Sequence, residues 1–208
     1  MNRRGKFVLL NRDEFKDWLF SANIKRRIKL IQNHHTWLPD YSRFKGDNHF
    51  QLLEAMDRSH VSRRLGGIAQ NITTFSDGLI ALCRSFERTP AGIKGANQGA
   101  VCLENLGNFD LGGDEMSDEH RQTIIFVNAA LCRKFNLPPD TDSIVYHYWY
   151  DLKTAERMNG SGSTKSCPGT NFFGGNSVES AEENFIPLVR TELGKLGGVA
   201  DPKAIGLY

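Results

Sequence analysis

Residues 30–40 read LIQNHHTWLPD, an apolar run that ends in two adjacent histidines, His34 and His35, just before an aromatic and a proline. With the basic residues before it, "RRIKLIQNHH" is predicted to be a strand whose C-terminus carries the pair. Successive strand side chains point to opposite faces. One histidine is therefore expected to look into a site while the other looks away, and the rest of the chain must say which.

Working outward, "KFVLL" reads as a short strand and "NRDEFKDWLFSA" as a helix capped by Asn11, with acids in its first turn. "GDNHFQLLEAMDRSH" is helical, and "GGIAQNITTFSDGLIALCRSF" is a hairpin turning at Ser76-Asp77-Gly78. A Gly/Pro/Asn-rich stretch leads into a further strand, "AVCLENLGNF". "MSDEHRQTIIFVNAALCRKFNL" is a long helix with Ser117 at its N-cap, stopped by Pro138-Pro139. "DSIVYHYWY" is a strand carrying His147 at its end. Ser180 and Glu183 fit a capping box for a last helix through about Leu196, closed by Gly197-Gly198. Mixed strands and helices without a repeat predict an α/β fold, one central mixed sheet flanked by helices.

The 208 residues, 39% hydrophobic and 24% charged, suffice for one ordinary domain with a real core. The net charge of +2 does not suggest a nucleic-acid protein, and no nucleic-acid partner is expected. Charge is unevenly spread, however. Residues 1–29 hold nine Lys/Arg against three Asp/Glu, and the remainder seventeen against twenty-one. A basic N-terminal lobe suits an anionic polymer such as a wall teichoic acid or RNA, though a solvated basic surface is the commoner meaning of such a run. The apolar stretch Phe7–Leu10 is too short for a secretory signal, and no run approaches a membrane span. Synthesis in the cytoplasm without a leader and no membrane insertion are the expectations.

Cys83, Cys102 and Cys132 sit in apolar settings and read as buried thiols. Cys167 lies instead in a polar, Gly-rich loop, "NGSGSTKSCPGTNFFGG", where packing gives no reason for a cysteine. One histidine of the 34/35 pair, His147 and Cys167 all stand at strand ends or in the loops that follow. Two neutral imidazoles and a thiolate suit Zn²⁺, and three protein ligands leave a position for water, as catalytic sites do. Spacing alone is weak evidence, because no H-E-x-x-H or C-x-x-C signature is present and isolated histidines are more often structural.

"HHTWLPD", "LENLGNFD", "YHYW" and "TKSCPG", in this order, resemble the zinc-dependent N-acetylmuramoyl-L-alanine amidases. That superfamily includes phage lysozyme-type amidases, cytosolic anhydro-muropeptide amidases and animal peptidoglycan recognition proteins. The resemblance covers roughly residues 28–175 and is most specific at "TKSCPG" and the leading histidine. It implies Zn²⁺ held by His34, His147 and Cys167, with His35 facing elsewhere, and Lys165 stabilising an oxyanion. The phage-type and recognition-protein members place a tyrosine eight residues before the Gly of the hairpin turn, where this chain has Gln70. The anhydro-muropeptide branch uses a glutamate on the strand before a Gly, and Glu104 of "CLENLG" matches it as general base. The alternative for Glu104 is a carboxylate paired with an arginine at the sheet edge.

The resemblance further implies peptidoglycan as partner, with cleavage between N-acetylmuramic acid and L-alanine. The rivals are a non-catalytic peptidoglycan-binding module, a zinc peptidase acting within the stem peptide, and a scaffold whose histidines are structural. An endolysin released through a holin, or an autolysin exported by another route, fits the missing leader. The expected organisation is a basic extension over 1–27 packing on the core, a catalytic domain over 28–198, and a tail or linker over 199–208. Among other residues, Trp37, Tyr41, Tyr148 and Trp149 are candidates for a groove wall, or for core and rim packing. Asn97 and Gln98 are candidates for a stem peptide or simply for loop solvation. His49, His60 and His120 are expected to face solvent from helices.

Overall fold

The computed structural model describes residues 2–196. The Gly197-Gly198 stop and the 199–208 tail lie outside the described residues. Seven strands form one mixed sheet, β1 (Asn2–Arg4), β2 (Phe7–Leu10), β3 (Leu30–His35), β4 (Ile72–Thr74), β5 (Ile80–Leu82), β6 (Ala100–Asn105) and β7 (Ile144–Tyr146). Their spatial order is β1-β2-β5-β4-β6-β3-β7. The β1/β2, β2/β5 and β5/β4 pairs are antiparallel, whereas β4/β6, β6/β3 and β3/β7 are parallel. The N-terminal segment thus adds two strands to the sheet as well as a helix that packs on it. β1, three exposed polar residues, has no apolar alternation that the sequence could have displayed.

Helices α1 (Arg12–Ser21), α2 (His49–Ser62), α3 (Asp118–Phe135), α4 (Val178–Ser180) and α5 (Ile186–Lys195) cover the sheet. The caps explain where α1 and α3 start. Asn11 accepts from Glu14 N–H while the Glu14 carboxylate accepts from Asn11 N–H, and Ser117 accepts from His120 N–H. The last helical run is capped by Ser177 rather than by Ser180. Ser180 already has helical backbone, and a π-turn over Ala181–Phe185 joins α4 to α5.

Strand alternation distributes the core between the two faces. Phe7 and Leu9 of β2 pack with Leu53 and Met56 of α2, while Leu10 joins Phe15, Leu19 and the buried side of α3 and α5. On β3, Asn33 exchanges two amide hydrogen bonds with Asn128 of α3 (2.8 and 3.1 Å), so Asn33 and His35 share the α3 side. Gln32 and His34 emerge on the other face. The Asn33 and Asn128 amides are fully buried on the α3 side, where an unmade bond would be costly, so the pair sets which face each β3 residue takes. The parallel strands β3, β6 and β7 all end at one edge of the sheet, where open α/β sheets present their ligand sites.

Two helical histidines depart from expectation. His49 and His120 are buried, not solvated. His49 Nε2 meets Asp77 Oδ2 at 2.8 Å, and its ring packs edge-on against Phe44 and Phe75. His120 lies between Tyr41 and Thr74 (2.7 Å each). His60 is half-buried and accepts from Ala69 N–H (3.0 Å).

Candidate metal centre

His34 is delivered by the end of β3, His147 by the 3-10 turn (His147–Trp149) that follows β7, and Cys167 by the long loop after it. The loop returns to the sheet through defined bonds. Asp151 gathers the N–H groups of Lys153, Thr154 and Ser163 at its base, and those bonds, Thr154 first, hold its carboxyl well below the usual carboxylate range. Tyr148 N–H donates to the Cys167 carbonyl at 2.7 Å, which ties the His147 turn directly to the cysteine. Ser166 and Thr170, on either side of Cys167, bond the Asp110 carboxylate on the loop after β6 (3.0 Å each).

The three donors converge. Their ligand atoms lie within 4.8 Å of one another, Cys167 Sγ sits 3.4 Å from His34 Nδ1, and the two imidazole rings meet edge to face with centroids 4.9 Å apart. All three side chains are buried. Burial, then His147 and Lys165, pushes His34 well below its ordinary range. Burial, then Lys165, brings His147 down to about 4. Both imidazoles are therefore neutral, the form that can ligate a metal. Burial and the Glu104 charge push the Cys167 thiol up, so a divalent cation is the partner that would let it ionise. Tetrahedral zinc with bonds of about 2.0–2.3 Å holds its ligand atoms roughly 3.5 Å apart. The residues present fit a zinc ion in number, type and closeness.

Glu104 stands beside His34 in the β3/β6 register and so projects from the same face of the sheet. Burial pushes its carboxyl up to about 8, with Lys165 and Arg63 working against that rise. β6 is an interior strand, between β4 and β3, and no arginine lies within ion-pairing distance of Glu104 among the described residues. The sheet-edge pairing considered from sequence is thus not what the structure contains. Lys165 is exposed at the mouth, and its charge is felt by His34, His147, Glu104 and Cys167 alike. These groups open into a cleft of about 1000 Å³ whose far wall is α2.

Of the weaker candidates, Trp37 lines this cleft and is 59% exposed, whereas Trp149 is fully buried and donates to the Asn176 carbonyl. Tyr148 is half-buried outside the cleft lining. Asn97 accepts from Gly92 N–H (2.9 Å) and orders that loop, and Gln98 is exposed away from the cleft. Gln70 is buried behind the site, its amide donating to Thr73 Oγ1 (2.9 Å). Sequence reading missed Gly92. A Cβ there would reach within 2.9 Å of His34 Nε2 and 2.8 Å of Cys102 Sγ, and would strike the side-chain Oε1 of Gln32. It also missed Arg43 and Arg63, which bring positive charge to the cleft from the α2 side.

A family model described as N-acetylmuramoyl-L-alanine amidase matches residues 24–170, most of the chain. The chain belongs to that amidase family. Solved structures share the fold of this chain. The endolysin N-acetylmuramoyl-L-alanine amidase LysCS from Clostridium intestinale URNW superposes with a TM-score of 0.51 at 19% identity, over 70% of this chain and 78% of that one. Drosophila PGRP-LB gives 0.57 at 16% identity, over 73% and 81%. A PGRP-LB mutant solved in complex with tracheal cytotoxin gives 0.52 at 15%, over 83% and 92%. No curated protein matches the sequence significantly. Among the described residues, no helix is long and apolar enough to cross a membrane.

A buried hydrogen-bond chain backs His34. Ser117 N–H donates to the Tyr41 hydroxyl (3.4 Å), which donates to His120 Nδ1 (2.7 Å). Thr74 gives its proton to Asn105 Oδ1 (2.7 Å), so it must accept from His120 Nε2 (2.7 Å), and Asn105 donates to the His34 carbonyl (2.8 Å). The network assigns one tautomer to His120, protonated on Nε2. Burial lowers His120 to about 3 and keeps it neutral, as this chain of donors requires. Replacing His120 by alanine leaves a cavity, the Tyr41 hydroxyl without its acceptor and the Thr74 hydroxyl without its donor. A loss of about 3 kcal/mol is expected, read as a melting temperature lower by roughly 5–10 °C. An unchanged melting temperature would deny the network its structural weight.

Proposed function

We propose that this chain is a zinc-dependent peptidoglycan amidase that cleaves the amide between N-acetylmuramic acid and L-alanine. The observation carrying this reading is the buried His34–His147–Cys167 cluster with Glu104 beside it in register, inside a chain of the amidase family. His34, His147 and Cys167 would hold the ion. Zinc bound there would acidify a water and polarise the scissile carbonyl. Glu104 takes a proton from the attacking water and returns it to the departing alanine nitrogen; burial raises its affinity for that proton, while the Lys165 charge favours the carboxylate that must accept it. Lys165 places its ammonium where negative charge grows on the carbonyl oxygen. The cleft, about 1000 Å³ with Trp37 and Leu38 exposed on one wall, is large enough for a muropeptide. Such an activity suits an endolysin or an autolysin.

Purified peptidoglycan digested by the protein should yield new N-terminal alanine, absent when a chelator is added and restored by zinc. New N-termini other than alanine would move the cut into the stem peptide. Binding to the wall with no new ends at all would leave a recognition module, the activity class suggested by the PGRP-like fold.

A further inference from the structure

A second groove, of about 510 Å³, lies between the N-terminal segment and the end of β5, and it shares no lining residue with the first. One wall is Arg3, Lys6, Trp18 and their neighbours, from a segment that precedes the family match at residue 24. The groove is therefore formed where a segment outside the family match meets residues 66–88 inside it. Four cations line it, Arg3, Lys6, Arg84 and Arg88, against the single carboxylate Glu87.

The disposition of those charges matters more than their number. Lys6 is held by Asp57 at 2.6 Å. Glu87 is already engaged, accepting from the backbone N–H groups of Lys25 (2.7 Å) and Arg26 (3.2 Å). Arg84 is buried, and its guanidinium donates only to backbone carbonyls, those of Ile68, Thr89, Leu65 and Gly67. Arg3 and Arg88 are exposed and donate only to the Gly5 and Gly66 carbonyls. Among the described residues, none of these three arginines has a carboxylate within ion-pairing distance. A buried arginine without a counter-ion is costly, and an anion in the groove would offset that cost.

Gly66 and Gly67 form the strip between these cations, both with positive φ (70° and 106°). A Cβ on Gly66 would touch Arg88 Nη2 (3.4 Å) and one on Gly67 would touch Lys6 Nζ (3.6 Å). The bare backbone keeps the floor open and the cations accessible. Trp18, half-buried against Phe15 and Phe86 (centroids 5.9 and 5.3 Å), is the one aromatic ring of the lining with exposed surface, Phe86 being buried, so the groove lacks the succession of rings on which consecutive nucleobases stack. Arginine forks matched to tetrahedral anions, without a row of stacking rings, favour phosphate on a non-nucleotide chain.

We propose that this groove binds the phosphate groups of a phosphodiester polymer lacking bases, and so seats the enzyme beside its substrate independently of the hydrolytic centre. The test uses the full chain and poly(glycerol phosphate) as probe, followed by calorimetry at low and moderate salt. R3E/R88E should weaken binding about tenfold or more and flatten its salt dependence. Hydrolysis of peptidoglycan stripped of anionic polymers should stay at the wild-type rate, which shows the variant is folded. The control K45E/K153E, with the same change in net charge at exposed sites elsewhere, should bind as wild type. Equal loss in the control would reduce the effect to net charge and overturn the site. Inorganic phosphate binding as tightly as the polymer, or an RNA oligonucleotide binding more tightly with the same sensitivity to R3E/R88E, would overturn the ligand. Absence of binding by the wild type would overturn both.

Discussion

Cys167→Ser is expected to lose bound zinc and peptidoglycan hydrolysis together. Serine keeps the shape of the side chain but offers a hydroxyl that does not ionise near neutrality, in place of a thiol that does so once a cation is present. Since disturbing even the groups behind a metal ligand costs 10–100-fold in metal affinity, loss of a ligand should cost about a hundredfold or more. Metal content after dialysis and rate of hydrolysis should fall in parallel, while melting of the metal-free proteins should differ little. His35→Ala is the informative partner. His35 accepts from Phe109 N–H at 3.1 Å and lies on the α3 side of β3, so removing it strands a buried N–H and should cost about 1–3 kcal/mol of stability. Zinc and substantial activity should remain. If both variants lost zinc equally, the assignment of the ligand to His34 would be wrong.

Glu104→Gln should separate metal binding from chemistry. The amide is isosteric, keeps the β3/β6 register and cannot take up a proton, so zinc content should stay at one per chain while turnover falls about 10²–10⁴-fold. KM should change little, because the loss falls on the transition state rather than on substrate binding. Near wild-type turnover in the variant would show that Glu104 is a structural carboxylate and that proton transfer belongs to another group.

The features legible in the sequence are those whose causes are local. Asn11 and Ser117 are caps because of what lies three residues on, and β3, α3 and the Asp77-Gly78 turn each declare themselves within a dozen residues. The three buried donors could be named through the family resemblance, although spacing alone did not single them out. What stayed hidden depends on partners remote in the chain. His120 sits on a helix like any surface histidine until Tyr41 and Thr74 are brought to it, and His49 likewise until Asp77 arrives. Gly92 looks like one more loop glycine, and only the folded chain shows His34 and Gln32 pressed against it. Ser180 fits a capping box with Glu183 in the sequence, yet Ser177 is the cap, and the π-turn that follows has no sequence signature of its own.

β1 has a bearing on how the protein behaves in a crowd. An edge strand presents unpaired backbone groups that a neighbouring chain can extend. Here that edge is only Asn2–Arg4, with Arg3 at its midpoint. Antiparallel addition of a second copy, centred on this strand, would set Arg3 opposite Arg3, a like-charge cross-strand pair. The β1 edge of the sheet thus resists templating by its own kind.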